Sequence, residues 1–113
     1  ISKILIGEIM DTINAHELHE IKQNKTDFIL LDVREDEELK IAKIDPHQHI
    51  PMGEIQQRLE ELDRKKLIVV MCHGGFRSAK VCSYLNKEGY RAVNFTGGIR
   101  SWSQEVDPTV PQY

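Results

Sequence analysis

Two uninterrupted apolar runs stand out along the chain, Phe28-Ile29-Leu30-Leu31 and Leu67-Ile68-Val69-Val70-Met71. A strand with one wet face alternates apolar and polar residues. A run without alternation suits a strand buried on both faces, as a parallel sheet requires. Elsewhere the apolar residues recur at helical spacing. Ala15, Leu18 and Ile21 follow Asn14 and Glu17, which resemble a capping box. Residues 35–39 predict a short helix, and Ile55, Leu59 and Leu62 mark another amphipathic one. A further helix starts at Ser78, carries Ala79, Cys82 and Leu85 on one stripe, and stops at Gly89. Shorter strands are expected over residues 9–13, near His49 in the proline-bearing stretch 43–51, and over residues 92–95. Gly97-Gly98 turns the chain into a last helix with Ile99 and Trp102, and the tail with Pro108 and Pro111 is non-helical. Strand and helix alternate, so the fold class is α/β: a small open parallel sheet of about five strands with helices on both faces.

The 113 residues suit one domain, with residues 1–10 as an N-terminal segment and 105–113 as a tail. Hydrophobic residues at 40% and charged residues at 29% are ordinary for a globular chain that can build its own core. A net charge of -3 argues against nucleic acid or an anionic membrane surface as partner. The apolar runs are too short to span a bilayer, and no signal-peptide pattern opens the chain. It begins at Ile1 rather than Met, which leaves room for a lost leader or a larger parent protein. Two cysteines, Cys72 and Cys82, do not make a disulfide scaffold, so a reducing, cytoplasmic setting with free thiols is expected.

The chemistry concentrates in Cys72-His73-Gly74-Gly75-Phe76-Arg77-Ser78, between a buried strand and a helix. In parallel α/β sheets such a loop lies at the carboxyl ends of the strands, where ligands bind. A tight loop entering a helix points its amides inward and, with the helix N-terminus, makes an anion cradle. Glycines allow turns that a Cβ would forbid. A cysteine at the base of that cradle gains thiolate character. Arg77 adds a fixed charge and a forked donor. A nucleophile, an anion site and an arginine are what acceptance of a group from an anionic donor requires.

The same loop, with a cysteine and an arginine enclosing four residues and a serine after it, resembles that of the rhodanese family. Leu31-Asp32-Val33-Arg34-Glu35 resembles the family's strand-end motif, and Gly97-Gly98-Ile99 with Trp102 its closing signature. The resemblance runs from about Ile13 to Trp102 in the family's order. It implies a sulfurtransferase needing no cofactor. Cys72 would take the outer sulfur of thiosulfate or a persulfide donor, and a thiol, cyanide or a sulfur-acceptor protein would receive it. Catalysis would fall to Cys72 and Arg77, and substrate binding to His73, Gly74, Gly75, Phe76, Ser78 and Arg34, with Asp32 in support. One departure stands out: where the family commonly has glycine-histidine-isoleucine-proline, this chain has Ala42-Lys43-Ile44-Asp45, with Pro46 one place later.

Plainer readings apply to other residues. Cys82, on its helical stripe, reads as a core thiol rather than a resolving cysteine. Asp32 and Arg34 could form a structural pair bracing the loop, with Arg34 left open as an active-site charge. His47 and His49 alternate along a short strand, but the spacing needed for zinc is missing, so no metal is expected. Trp102 reads as a core anchor, and Asp36-Glu37-Glu38 as a solvated acidic face. Three competing functions share the scaffold: a sulfur-relay domain serving a partner protein, a non-catalytic interaction domain, and an arsenate reductase or phosphatase. The last carries one more residue between cysteine and arginine.

Overall fold

The computed structural model describes residues 12–113. Five parallel strands form one sheet: β1 (Thr12–Ile13), β2 (Phe28–Asp32), β3 (Gln48–His49), β4 (Leu67–Met71) and β5 (Arg91–Phe95), in the order β1-β5-β4-β2-β3. Among the described residues four α-helices flank the sheet: α1 (Ala15–Gln23), α2 (Asp36–Ile41), α3 (Phe76–Lys87) and α4 (Gly98–Glu105). The expected open parallel sheet with helices on both faces is what the chain adopts. Residues 9–11 of the first expected strand, and the N-terminal segment 1–10, lie outside the described residues.

The two apolar runs occupy the middle of the sheet, paired in register from Phe28↔Leu67 to Asp32↔Met71. Successive side chains point to opposite faces, so each run feeds two cores. Leu30, Val69, Met71, Val93 and Phe95 join α1 and α4 on one side, with Trp102 5% exposed among them. Leu31, Ile68, Val70 and Ala92 join Val81, Cys82 and Leu85 of α3 on the other. The absence of alternation in the sequence therefore reflects burial on both faces.

Helix α1 begins as its sequence indicates. The Asn14 side chain accepts the Glu17 amide at 2.9 Å, and the Glu17 carboxylate accepts the Asn14 amide at 2.9 Å. Ala15, Leu18 and Ile21 face the core. Helix α3 differs from expectation in two respects. It begins at Phe76 rather than Ser78, because Gly75 at φ +107° caps it. Its buried stripe is Ser78, Val81, Cys82 and Leu85, leaving Ala79 exposed.

The amphipathic helix expected from Ile55, Leu59 and Leu62 is replaced by two 3₁₀ turns, Met52–Glu54 and Leu59–Glu61. Arg58 at φ -114°, ψ 17° interrupts the helical path, and Leu62 is already extended. Ile55 and Leu62 are still buried, at 4% exposure each. Apolar spacing dictates which side chains face inward, and short tight turns meet that demand as well as one helix does.

The order in which successive strands are laid down reverses between β2 and β4. The connection after β2 leads to β3 at one edge, and that after β4 leads to β5 on the other side. The carboxyl ends of these two strands flank the crevice that open α/β sheets use for ligands.

Candidate active site

Cys72 follows the last residue of β4 and is 2% exposed. Its sulfur accepts the Gly75 amide at 3.1 Å and the Ser78 amide at 3.4 Å, and lies 3.3 Å from the Ser78 hydroxyl. Burial pushes the thiol pKa up. Hydrogen bonds from the Ser78 hydroxyl and from the Ser78, Gly75 and Gly74 amides outweigh it, and the net shift is downward. The sulfur sits under the first turn of α3, where the helix dipole also favours an anion.

The loop holds this shape because α4 grips it from behind. Ile99 N–H donates to the Cys72 carbonyl at 3.0 Å, and Arg100 N–H to that of His73 at 3.1 Å. Gly98, at φ +58°, makes the approach possible. A Cβ there would collide with both carbonyl oxygens. Asn94 of β5 adds a bond to the Gly75 carbonyl at 3.2 Å. The Gly97-Gly98 pair is thus part of the site's scaffold.

Arg77 turns toward α2. Its two terminal nitrogens meet the two carboxylate oxygens of Glu38 at 2.6 and 2.9 Å. This pairing draws the Glu38 pKa down to about 2 and raises that of Arg77, to which the Cys72 charge also contributes. Tyr113 completes the cluster. Its hydroxyl donates to Glu38 at 2.8 Å and accepts from Arg34 at 2.8 Å, and its ring lies 4.3 Å from that of His73.

Of the residues singled out in the sequence, Cys72, Gly74, Gly75 and Ser78 gather around the sulfur. Phe76 lines the rim at 87% exposure. The His73 ring packs on Tyr113, and its Nε2 is buried without a partner. Arg34 does not present its charge to the crevice. It is fully buried against Asp32, and its remaining donors go to the Ala42 and Glu38 carbonyls and to Tyr113. A guanidinium with its donors committed inside the protein braces the wall instead of meeting a substrate. Asp32 is its partner, consistent with a supporting role. His49 contacts the Arg34 carbonyl at 2.7 Å and His47 that of Ile44 at 3.1 Å, so both serve local structure. Cys82 is buried in the second core, next to Asn86.

Two residues of this cluster, Glu38 and Tyr113, carry no signal in the sequence. Glu38 sits in the acidic stretch expected to be a solvated face, yet it is the carboxylate facing Arg77. Tyr113 lies in the tail, 75 residues from Glu38. No local spacing signals either contact.

The sequence matches the family described as "Rhodanese-like domain" over residues 14–105. It is 43% identical over 82 residues to "Putative sulfurtransferase YtwF" of Bacillus subtilis (strain 168), covering 73% of this chain and 80% of that protein. It is 30% identical over 103 residues to a protein named "Sulfurtransferase" from Allochromatium vinosum, covering 90% of this chain and 96% of the other. Among solved structures it resembles a rhodanese-like domain protein from Staphylococcus aureus. The TM-score is 0.80 at 33% identity, covering 92% of this chain and 99% of that one.

Proposed function

Because the chain belongs to the rhodanese-like sulfurtransferase family, we propose that it transfers sulfane sulfur through a persulfide on Cys72. The Cys72 thiolate attacks the outer sulfur of a donor. With thiosulfate, the donor S–S bond breaks, sulfite leaves with the bonding pair, and Cys72–S–S⁻ remains. An acceptor thiolate or cyanide then attacks the terminal sulfur, takes it, and restores the Cys72 thiolate. The steps alternate in ping-pong order. No cofactor enters this scheme.

The observation that carries this reading is the set of donors converging on Cys72 Sγ from Gly75 and Ser78. A terminal sulfur extends the side chain by one atom toward the mouth of the loop, where amides at the start of α3 can meet its charge. Arg77 stands beside the loop with its terminal nitrogens held by Glu38, while Asp32 and Arg34 hold the wall.

The test is intact mass after incubation with thiosulfate. Wild type gains one sulfur atom and loses it to cyanide, while Cys72→Ser gains none and keeps its fold. A Cys72→Ser protein that still makes thiocyanate at the wild-type rate would assign the carrier to another group.

A further inference from the structure

A rhodanese-like site that reads thiosulfate by charge needs a cation free to meet a dianion. In this chain the Arg77 guanidinium is already met, through both terminal nitrogens, by Glu38. Glu38 is itself held in place. One oxygen accepts the Glu35 amide at 3.0 Å, and the other accepts the Tyr113 hydroxyl at 2.8 Å. The other guanidinium of the wall, Arg34, is fully buried and bonded to Asp32, Tyr113 and backbone carbonyls. The loop rim carries Phe76, 87% exposed, an apolar surface with nothing to offer a sulfonate.

We infer that Glu38 is a specificity-determining residue. By neutralising Arg77 it turns the site away from doubly charged donors such as thiosulfate and toward organic persulfides, with their single charge or none and an organic body that can lie on Phe76. The inference rests on the persulfide reading of Cys72 and names its donor class. In the favoured step the Cys72 thiolate attacks the outer sulfur of R–S–SH. The donor S–S bond breaks, RS⁻ leaves with the bonding pair, and Cys72–S–SH is formed with no external oxidant or reductant. Glu38 touches no reacting atom and acts through Arg77.

The experiment is single-turnover loading of Cys72, followed by rapid quench and intact mass, with thiosulfate and with 2-hydroxyethyl persulfide, whose body is uncharged. Wild type, Glu38→Gln and Glu38→Asp are compared. Glu38→Gln is expected to raise the thiosulfate-to-persulfide ratio of second-order loading rates at least fivefold, roughly the contribution of one charge at about 4 Å even through bulk water. The gain should appear in the concentration dependence for thiosulfate, and it should fall with added potassium chloride more steeply than the wild-type rate does. Glu38→Asp, which keeps the charge, should stay near the wild-type ratio. An unchanged ratio in Glu38→Gln overturns the inference. So does an equal shift in Glu38→Asp, which would show packing rather than charge at work. If wild-type Cys72 gains sulfur from neither donor, the persulfide reading falls first and this inference with it. Loading from both donors with no effect of Glu38 removes only the inference.

Discussion

At the scale of single residues, the site is a contest between burial and hydrogen bonding at one sulfur. Cys72 is buried enough to disfavour a thiolate, yet its pKa is lowered because Ser78 and the loop amides donate to it. The Ser78 hydroxyl is the largest of the stabilising contributions. Ser78→Ala should therefore move the inflection of the alkylation or sulfur-loading rate to higher pH while leaving the high-pH plateau nearly intact. An unmoved inflection would mean that the amides alone set the thiolate. Glu38 gives a second pH signature. Its folded pKa, about 2, lies below the ordinary 4.5, so its ion pair stabilises the fold above pH 4.5 and that contribution is lost as pH falls toward 2. The stability gap between wild type and Glu38→Gln, read from urea unfolding, should be present at neutral pH and close across that acid window. Cys72, Gly75 and Ser78 were legible in the sequence because their relation is local, within one strand–loop–helix unit. Glu38 was not. An acidic run reads as solvated until the fold brings α2 against Arg77, 39 residues away.

At the scale of elements, the apolar pattern recovered what burial controls and missed what backbone geometry controls. The central strands were legible because two-sided burial erases alternation. The start of α1 was legible because a capping box is a local exchange of hydrogen bonds. The helix expected from Ile55, Leu59 and Leu62 is instead a series of tight turns, because periodicity records only which residues face inward. The glycine pair that opens α4 was legible as a turn, but its purpose was not. It lets α4 donate its amides to the carbonyls of Cys72 and His73, so one element sets the shape of another. Gly98→Ala should cost roughly 1–3 kcal/mol from the positive φ alone, with the carbonyl clash adding to it. The matching loss of sulfur-loading rate would show that the loop, and not only the helix, has shifted. Gly53→Ala is the control, since a Cβ there meets nothing within 4 Å. Equal effects at the two positions would deny Gly98 its part in shaping the loop.

At the scale of the whole molecule, the site lies where distant parts of the chain converge on the carboxyl ends of β2 and β4. The last of these parts is the tail. After α4 the chain turns at Asp107, whose side chain accepts the Thr109 amide at 3.1 Å, and runs back to place Tyr113 against the site. There one phenol joins three segments: Arg34 beyond β2, Glu38 on α2 and His73 in the loop after β4. Tyr113 is 39% exposed, so its contribution comes from its bonds and ring contact more than from burial. Two substitutions separate these. Tyr113→Phe keeps the ring on His73 but removes the hydroxyl, leaving a buried Arg34 donor short of an acceptor and Glu38 short of a donor. A loss of about 1–3 kcal/mol is expected in urea unfolding, the cost of stranding a buried polar group. Tyr113→Ala removes the ring contact too and should also speed hydrogen exchange at the amides of residues 73–78. If the tail were a passenger, both variants would unfold like wild type and the loop amides would exchange unchanged. If Tyr113 served only as a ring on His73, Tyr113→Phe would be silent and Tyr113→Ala would carry the whole effect. The bonds to Arg34 and Glu38 favour a graded result, with the hydroxyl stabilising the wall and the ring steadying the loop.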